Sequence, residues 1–80
     1  MQLSILALDK ILFKGEVESV SAPSLFNGIL QILDNHIPLL TPLKKGVLRI
    51  QEKGKKDIEF EVHRGILDVR NNSKVIVLLR

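Results

Sequence analysis

The chain contains no cysteine, tryptophan or tyrosine, and three phenylalanines supply all of its aromatic bulk. Without cysteine there is no disulfide framework, no thiolate metal site and no thiol nucleophile. The absence fits a reducing compartment. Scarce aromatics also weigh against single-stranded nucleic-acid binding, which stacks bases on rings set along a basic groove. Long apolar runs are missing too, and none approaches the ~20 residues that span a bilayer. The start, Met1-Gln2-Leu3-Ser4, lacks the basic stretch of a secretion signal, and Asp9 and Lys10 interrupt the early apolar segment. The expectation is a soluble chain without a leader.

What is present is aliphatic. Apolar residues make up 45% of the 80, enough for one domain over residues 1–80 to build a core without staples. The net charge of +3 is mild and spread out. Its one basic cluster, Lys53-Gly54-Lys55-Lys56, is flanked by Glu52 and Asp57. That pattern reads as a solvated hairpin tip whose lysines discourage edge pairing, rather than as a nucleic-acid face.

Hydrophobic periodicity is two nearly throughout. Ile58, Phe60 and Val62 alternate with Glu59, Glu61 and His63; Leu48 and Ile50 alternate with Arg49 and Gln51; Leu67 and Val69 alternate with Asp68 and Arg70. Between Glu16 and Val20, Val17 and Ser19 are expected on one side of a strand, with Glu16, Glu18 and Val20 on the other. Leu3–Leu8 and Val75–Leu79 are more continuously apolar, as would suit strands covered on both faces. Turn signals fall at Lys14-Gly15, Ala22-Pro23-Ser24, Asn27-Gly28, Asp34-Asn35, Lys45-Gly46, Lys53-Gly54, Arg64-Gly65 and Asn71-Asn72. Residues 25–33 come nearest to a helical stripe, but Gly28, Ile29 and Ile32 favour a strand. Short strands about ten residues apart predict an all-β sandwich or barrel.

No catalytic constellation emerges. His63 falls in the solvent-facing row of its strand, and His36 precedes an apolar run as a loop residue. A zinc site from His36, His63 and Asp34 finds no support in their spacing. Glycines are isolated in turns rather than gathered in a phosphate-binding loop. The carboxylate pairs Glu16/Glu18 and Glu59/Glu61 have the i,i+2 spacing of solvated strand faces. The chain reads as a non-enzyme with no cofactor and no metal.

The most telling segment is His36-Ile37-Pro38-Leu39-Leu40-Thr41-Pro42-Leu43-Lys44-Lys45-Gly46. Two prolines four residues apart exclude a helix and argue against a central strand. A bent, apolar edge is expected, and an exposed apolar edge on so small a domain suggests docking. A generic sandwich or barrel binding module, for protein or nucleic acid, would also fit these features.

The ordered series is more specific. Phe13-Lys14-Gly15-Glu16-Val17-Glu18-Ser19-Val20, then Pro23, Gly28 and the His36–Gly46 run, resembles the epsilon subunit of F-type ATP synthases. Phe60-Glu61-Val62-His63-Arg64-Gly65-Ile66-Leu67-Asp68-Val69 and Lys74-Val75-Ile76-Val77-Leu78 continue the likeness, so it covers essentially the whole chain. The resemblance implies a sandwich of two roughly five-stranded sheets at the foot of a central stalk. One surface would grip the gamma subunit and another would rest on the membrane-embedded c-ring, coupling proton translocation to ATP synthesis. It implies no catalytic role, no nucleic acid, and membrane contact only through the complex. The expected place is the cytoplasmic face of the plasma membrane, with a weak homodimer when partners are missing. Matching positions assign Ala7, His36, Pro38 and Thr41 to the gamma side, and Asn27, Gly28 and Ile29 to the ring side.

The departures from the family pattern are definite. The usual Gly-Ile-x-Pro-Gly-His is Gln31-Ile32-Leu33-Asp34-Asn35-His36, and Asp-Asn tolerates the same bend. Ile29 stands where an acidic residue is common, which implies an apolar ring contact. The segment between Pro23 and Gly28 differs by about one residue, and Arg64 replaces the first glycine of a pair. Many members continue into an inhibitory C-terminal helical hairpin. No such segment follows Arg80 in this sequence, so coupling without inhibition by that route is the expectation.

Overall fold

A computed structural model describes residues 1–80 as nine strands without a helix: β1 (Gln2–Ala7), β2 (Lys10–Glu16), β3 (Ser19–Ser24), β4 (Gly28–Leu33), β5 (Leu39–Leu43), β6 (Gly46–Gln51), β7 (Ile58–Val62), β8 (Gly65–Arg70) and β9 (Lys74–Leu79). The expected all-β sandwich is found. Its two layers are a five-stranded β2-β1-β9-β8-β5 sheet and a four-stranded β4-β3-β6-β7 sheet, joined into one curled sheet from which β4 branches at β3. The layers meet through a single pair, Ser24↔Leu43. Every pairing is antiparallel except β1 with β9, which places the first and last strands side by side.

Alternation sets what faces inward. Across the five-stranded sheet, Phe13, Ile5, Val77, Leu67 and Thr41 form one inner row by register. Ile32, Val20, Ile50 and Ile58 form another across the second sheet. Ile5, Val20, Ile32, Ile50, Leu67 and Val77 are fully buried, and the two rows meet in one aliphatic core.

Three local expectations are corrected. Lys14-Gly15 lies inside β2, and Ala22-Pro23-Ser24 lies inside β3, so neither is a turn. Pro23 is tolerated because β6 leaves β3 after Ser21, so no neighbour on that side needs the missing N–H. The Pro23 carbonyl still accepts from Lys44 N–H at 2.9 Å. Residues 16–20 do not form one strand. The chain turns at Val17 and Glu18, and Val17, Ser19 and Val20 are all buried. Several other turn signals hold for a visible reason: Gly28, Asn35, Gly54 and Asn72 all adopt positive φ, where glycine and asparagine are least strained.

The two layers are also clamped at the N-terminus. The Met1 ammonium lies 2.9 Å from Glu16 Oε1 and 2.8 Å from Asp34 Oδ1, and it donates to the Val17 carbonyl at 2.9 Å. Burial alone would lower its pKa. The hydrogen bonds and charges of Asp34 and Glu16 outweigh that and raise it above the ordinary 8.0. The folded state therefore favours the charged form. The stabilisation is complete below about pH 8 and is lost as pH rises through the raised value. Denaturation midpoints are expected to fall as pH rises from below about 8 through the raised value, and N-terminal acetylation is expected to remove that pH dependence.

Candidate docking surface

The continuously apolar ends of the sequence, β1 and β9, predicted strands covered on both faces. The structure covers only one. Ile5, Val75 and Val77 point into the core, while Leu6 and Leu78 point out, and Leu78 is 45% exposed. Register extends this into a row across the outer face of the five-stranded sheet: Ile11↔Leu6↔Leu78↔Ile66↔Pro42. Beside it runs Lys14↔Ser4↔Ile76↔Asp68↔Leu40, with Leu40 70% exposed, and beyond that the polar Gln2, Lys74 and Arg70. The face is apolar at one end and polar at the other. A cleft of about 510 Å³ opens at its apolar end, walled by Leu25, Pro42, Ile66 and Leu78 with Arg64 and Arg80 at its margin.

The proline segment differs from the expected edge in one respect. Pro42 lies in β5, which sits between β8 and β3 along the sheet. This works because β5 touches β3 only through Ser24↔Leu43, leaving most of that flank without a ladder. The Pro42 carbonyl on that flank accepts from Leu25 N–H at 3.0 Å, and no donor from Pro42 is needed.

The residues assigned to the gamma side do not share one surface. Pro38 is exposed beside the outer face of β5. His36 is half-buried in the preceding loop; its Nδ1 donates to the Ile37 carbonyl at 2.7 Å, and its backbone N–H donates to Leu33 at 3.2 Å. Thr41 points inward, 4% exposed, with its hydroxyl 3.2 Å from Ser24 Oγ. Ala7 ends β1, half-buried and on the inner side by alternation. The ring-side assignments, by contrast, are contiguous. Asn27, Gly28 and Ile29 form the exposed β3–β4 tip, braced by Asn27 N–H donating to Ser24 Oγ at 3.3 Å. Ile29 and its neighbour Phe26 are 76% and 75% exposed.

Sequence reasoning missed Leu6, Ile66 and Leu78 as surface candidates, while Leu40 lies in the apolar edge it expected to dock. A signal was present in β9, whose outer Ile76 and Leu78 are as apolar as its inner residues, but not in β1 or β8, whose other outer positions are Gln2, Ser4, Asp68 and Arg70. No three His, Asp or Glu side chains gather where they could hold a metal ion. The Lys53–Lys56 cluster sits between β6 and β7, where Lys55 faces Glu52 at 3.9 Å.

Comparison with known proteins gives a consistent picture. The model of the family described as ATP synthase, Delta/Epsilon chain, beta-sandwich domain matches residues 1–80. The ATP synthase epsilon chain of Chlorobium limicola is 37% identical over 76 residues, covering 95% of this chain and 85% of that one. That of Brevibacillus brevis is 35% identical over 78 residues, covering 98% of this chain but 58% of its own length. Among solved structures, a chain of the Euglena gracilis mitochondrial ATP synthase superposes with a TM-score of 0.88 at 20% identity, covering 96% of this chain and 48% of that one. A chain of the Tetrahymena thermophila mitochondrial ATP synthase central stalk and c-ring gives 0.82 at 15%, covering 98% and 61%. At these identities the two structures speak to the fold alone.

Proposed function

Because the chain belongs to the ATP synthase delta/epsilon β-sandwich family, we propose that its apolar outer sheet face is the surface that docks on the gamma subunit. The chain is a non-catalytic, epsilon-type subunit of the ATP synthase central stalk, part of a membrane-associated complex. The observation that carries the docking proposal is the Ile11–Leu6–Leu78–Ile66–Pro42 row, apolar across five neighbouring strands with nothing over it. Burying such a surface contributes roughly 25 cal/mol per Å² of apolar area, and a monomeric domain has little reason to keep it exposed.

In this arrangement Pro38, Leu40, Pro42, Ile66 and Leu78 meet gamma, and His36 offers its free Nε2 at the margin. Thr41 and Ala7 support the face from beneath: Thr41 fixes β5 against β3 through Ser24, and Ala7 closes the end of β1. The Asn27-Gly28-Ile29 tip rests on the c-ring through Ile29. An apolar contact replaces the charged one expected of an acidic residue. Two attachments on one compact sandwich let the subunit turn with the rotor and couple proton translocation to ATP synthesis. The subunit then lies peripherally on the cytoplasmic side of the plasma membrane. Without gamma, the same face pairs two copies weakly.

The test is a pull-down of gamma from a lysate containing the native complex, with the tagged chain and its Pro38→Asp and Leu40→Asp variants. Wild type is expected to recover gamma. Each aspartate, placed in a dehydrated contact, is expected to lower recovery at least tenfold without changing the melting temperature. Undiminished recovery by both variants would sink the assignment of this face.

A further inference from the structure

The modest net positive charge is concentrated at one end of the sandwich. Register gathers the turns at residues 8–9, 25–27, 44–45 and 63–64, together with Arg80, at one end. The terminal pairs Ala7↔Lys10, Ala7↔Leu79, Gly65↔Leu79, Leu43↔Gly65 and Ser24↔Leu43 run round that rim. Lys10, Lys44, Lys45, Arg64 and Arg80 are all exposed there, and none forms an ion pair. Asp9 is the only carboxylate in those turns; Glu61, just inside the end of β7, lies 3.7 Å from His63. The opposite end holds Glu16, Glu18, Asp34, Glu52 and Asp57, and Lys53, Lys55, Lys56 and Lys74 nearly cancel them there. The basic rim also carries apolar side chains that project from turns rather than line a groove: Leu8 is 95% exposed and Phe26 75%.

We infer that this basic rim binds the headgroup surface of an anionic phospholipid bilayer. Unpaired lysines and arginines spread over one end of a body 28 × 24 × 21 Å make a broad positive footprint. Single apolar tips between the cations reach the acyl boundary, where a protein partner would instead require complementary hollows. The opposite end, where carboxylates and lysines nearly cancel, is not drawn to that surface, so the field orients the sandwich as well as holding it. The inference stands on the charge distribution and does not require the gamma contact. It is compatible with a ring contact at the same end, since lipid surrounds a membrane-embedded ring.

Co-sedimentation of the chain with vesicles, at about 0.15 M salt, tests it. One set of vesicles is equimolar phosphatidylglycerol and phosphatidylcholine; the other is phosphatidylcholine alone. Binding is expected only to the anionic set. Each charge removed at the rim is expected to weaken it roughly fivefold, so the Lys44→Glu, Lys45→Glu, Arg64→Glu triple variant should no longer sediment. The control triple variant Lys53→Glu, Lys55→Glu, Lys56→Glu has the same net charge and should still bind. Phe26→Ser with Leu8→Ser is expected to weaken binding while leaving its salt dependence intact. Equal loss in both triple variants would reduce the effect to net charge and overturn the inference. Absence of binding by the folded wild type would overturn it as well, leaving an acidic protein surface as the occupant of the rim.

Discussion

Replacing Gly65 with alanine is expected to lower the melting temperature by roughly 10–20 °C, the largest effect of any single methyl group in this chain. Gly65 opens β8, buried where β8 lies between β5 and β9. A Cβ built there falls 2.5 Å from the Leu78 carbonyl oxygen and 3.0 Å from a Leu79 methyl. The leucine side chain can rotate away, but the oxygen belongs to the backbone of β9. That strand is held by β8 on one side and β1 on the other. Relief therefore requires parting two strands at their ends, beside the point where Arg80 N–H donates to the Arg64 carbonyl at 3.0 Å. Overpacking of this kind costs about 2–3 kcal/mol, a large share of the stability of a domain this small. Gly54→Ala is the matched control. Its φ is +70°, but nothing lies within 4 Å of the added methyl, so only the backbone conformation is penalised, by about 1 kcal/mol. Thermal unfolding of the two variants side by side gives the comparison. A Gly65→Ala protein as stable as Gly54→Ala would mean that the close approach of β8 and β9 is relieved at little cost.

The second large effect comes from two consecutive residues on β8. Leu67→Ala is expected to cost about 2–5 kcal/mol of stability, because Leu67 is fully buried between Val77 and Thr41 in the inner row. Ile66, 44% exposed on the outer row beside Leu78 and Pro42, should behave in the opposite way. Ile66→Asp is expected to cost under about 1 kcal/mol of stability, yet reduce gamma recovery at least a hundredfold. Chemical denaturation and the pull-down, run on both variants, read the two axes separately. Leu67→Ala, once folded below its midpoint, should still recover gamma. If Ile66→Asp were as destabilising as Leu67→Ala, the outer face would belong to the core of the fold and the docking assignment would fail.

The same pair marks where sequence reasoning stopped. Ile66 and Leu67 are equally apolar, and alternation along β8 assigns them to opposite faces. Where only one parity is apolar, as in Ile58, Phe60 and Val62, the pattern named the inner face correctly. In β9 both parities carry apolar residues and in β1 Leu6 joins the outer one, so the pattern reads as double coverage. Nothing local distinguishes a strand covered by a second layer from one that awaits a partner. Prolines and glycines misled in a related way. Pro23, Pro42 and Gly15 read as punctuation, yet all three lie within strands. Whether a missing N–H matters depends on where the neighbouring strand ends, and that is a property of the ladder.

Composition and period two alone determined that this chain is an all-β domain with an aliphatic core, and its ordered motifs identified the family. The Asn27-Gly28-Ile29 tip was also legible, since a glycine at positive φ between two strands forces a turn. Tertiary structure decided the rest: the outer row spanning five strands, the inward turn of Thr41, and the rim that gathers Lys10, Lys44, Lys45, Arg64 and Arg80. These residues lie up to 70 positions apart (Lys10 to Arg80). Alternation is a two-residue signal that carries no information about which strands become neighbours. Only pairing and register bring such distant side chains onto one surface, and a docking surface is made of such neighbours.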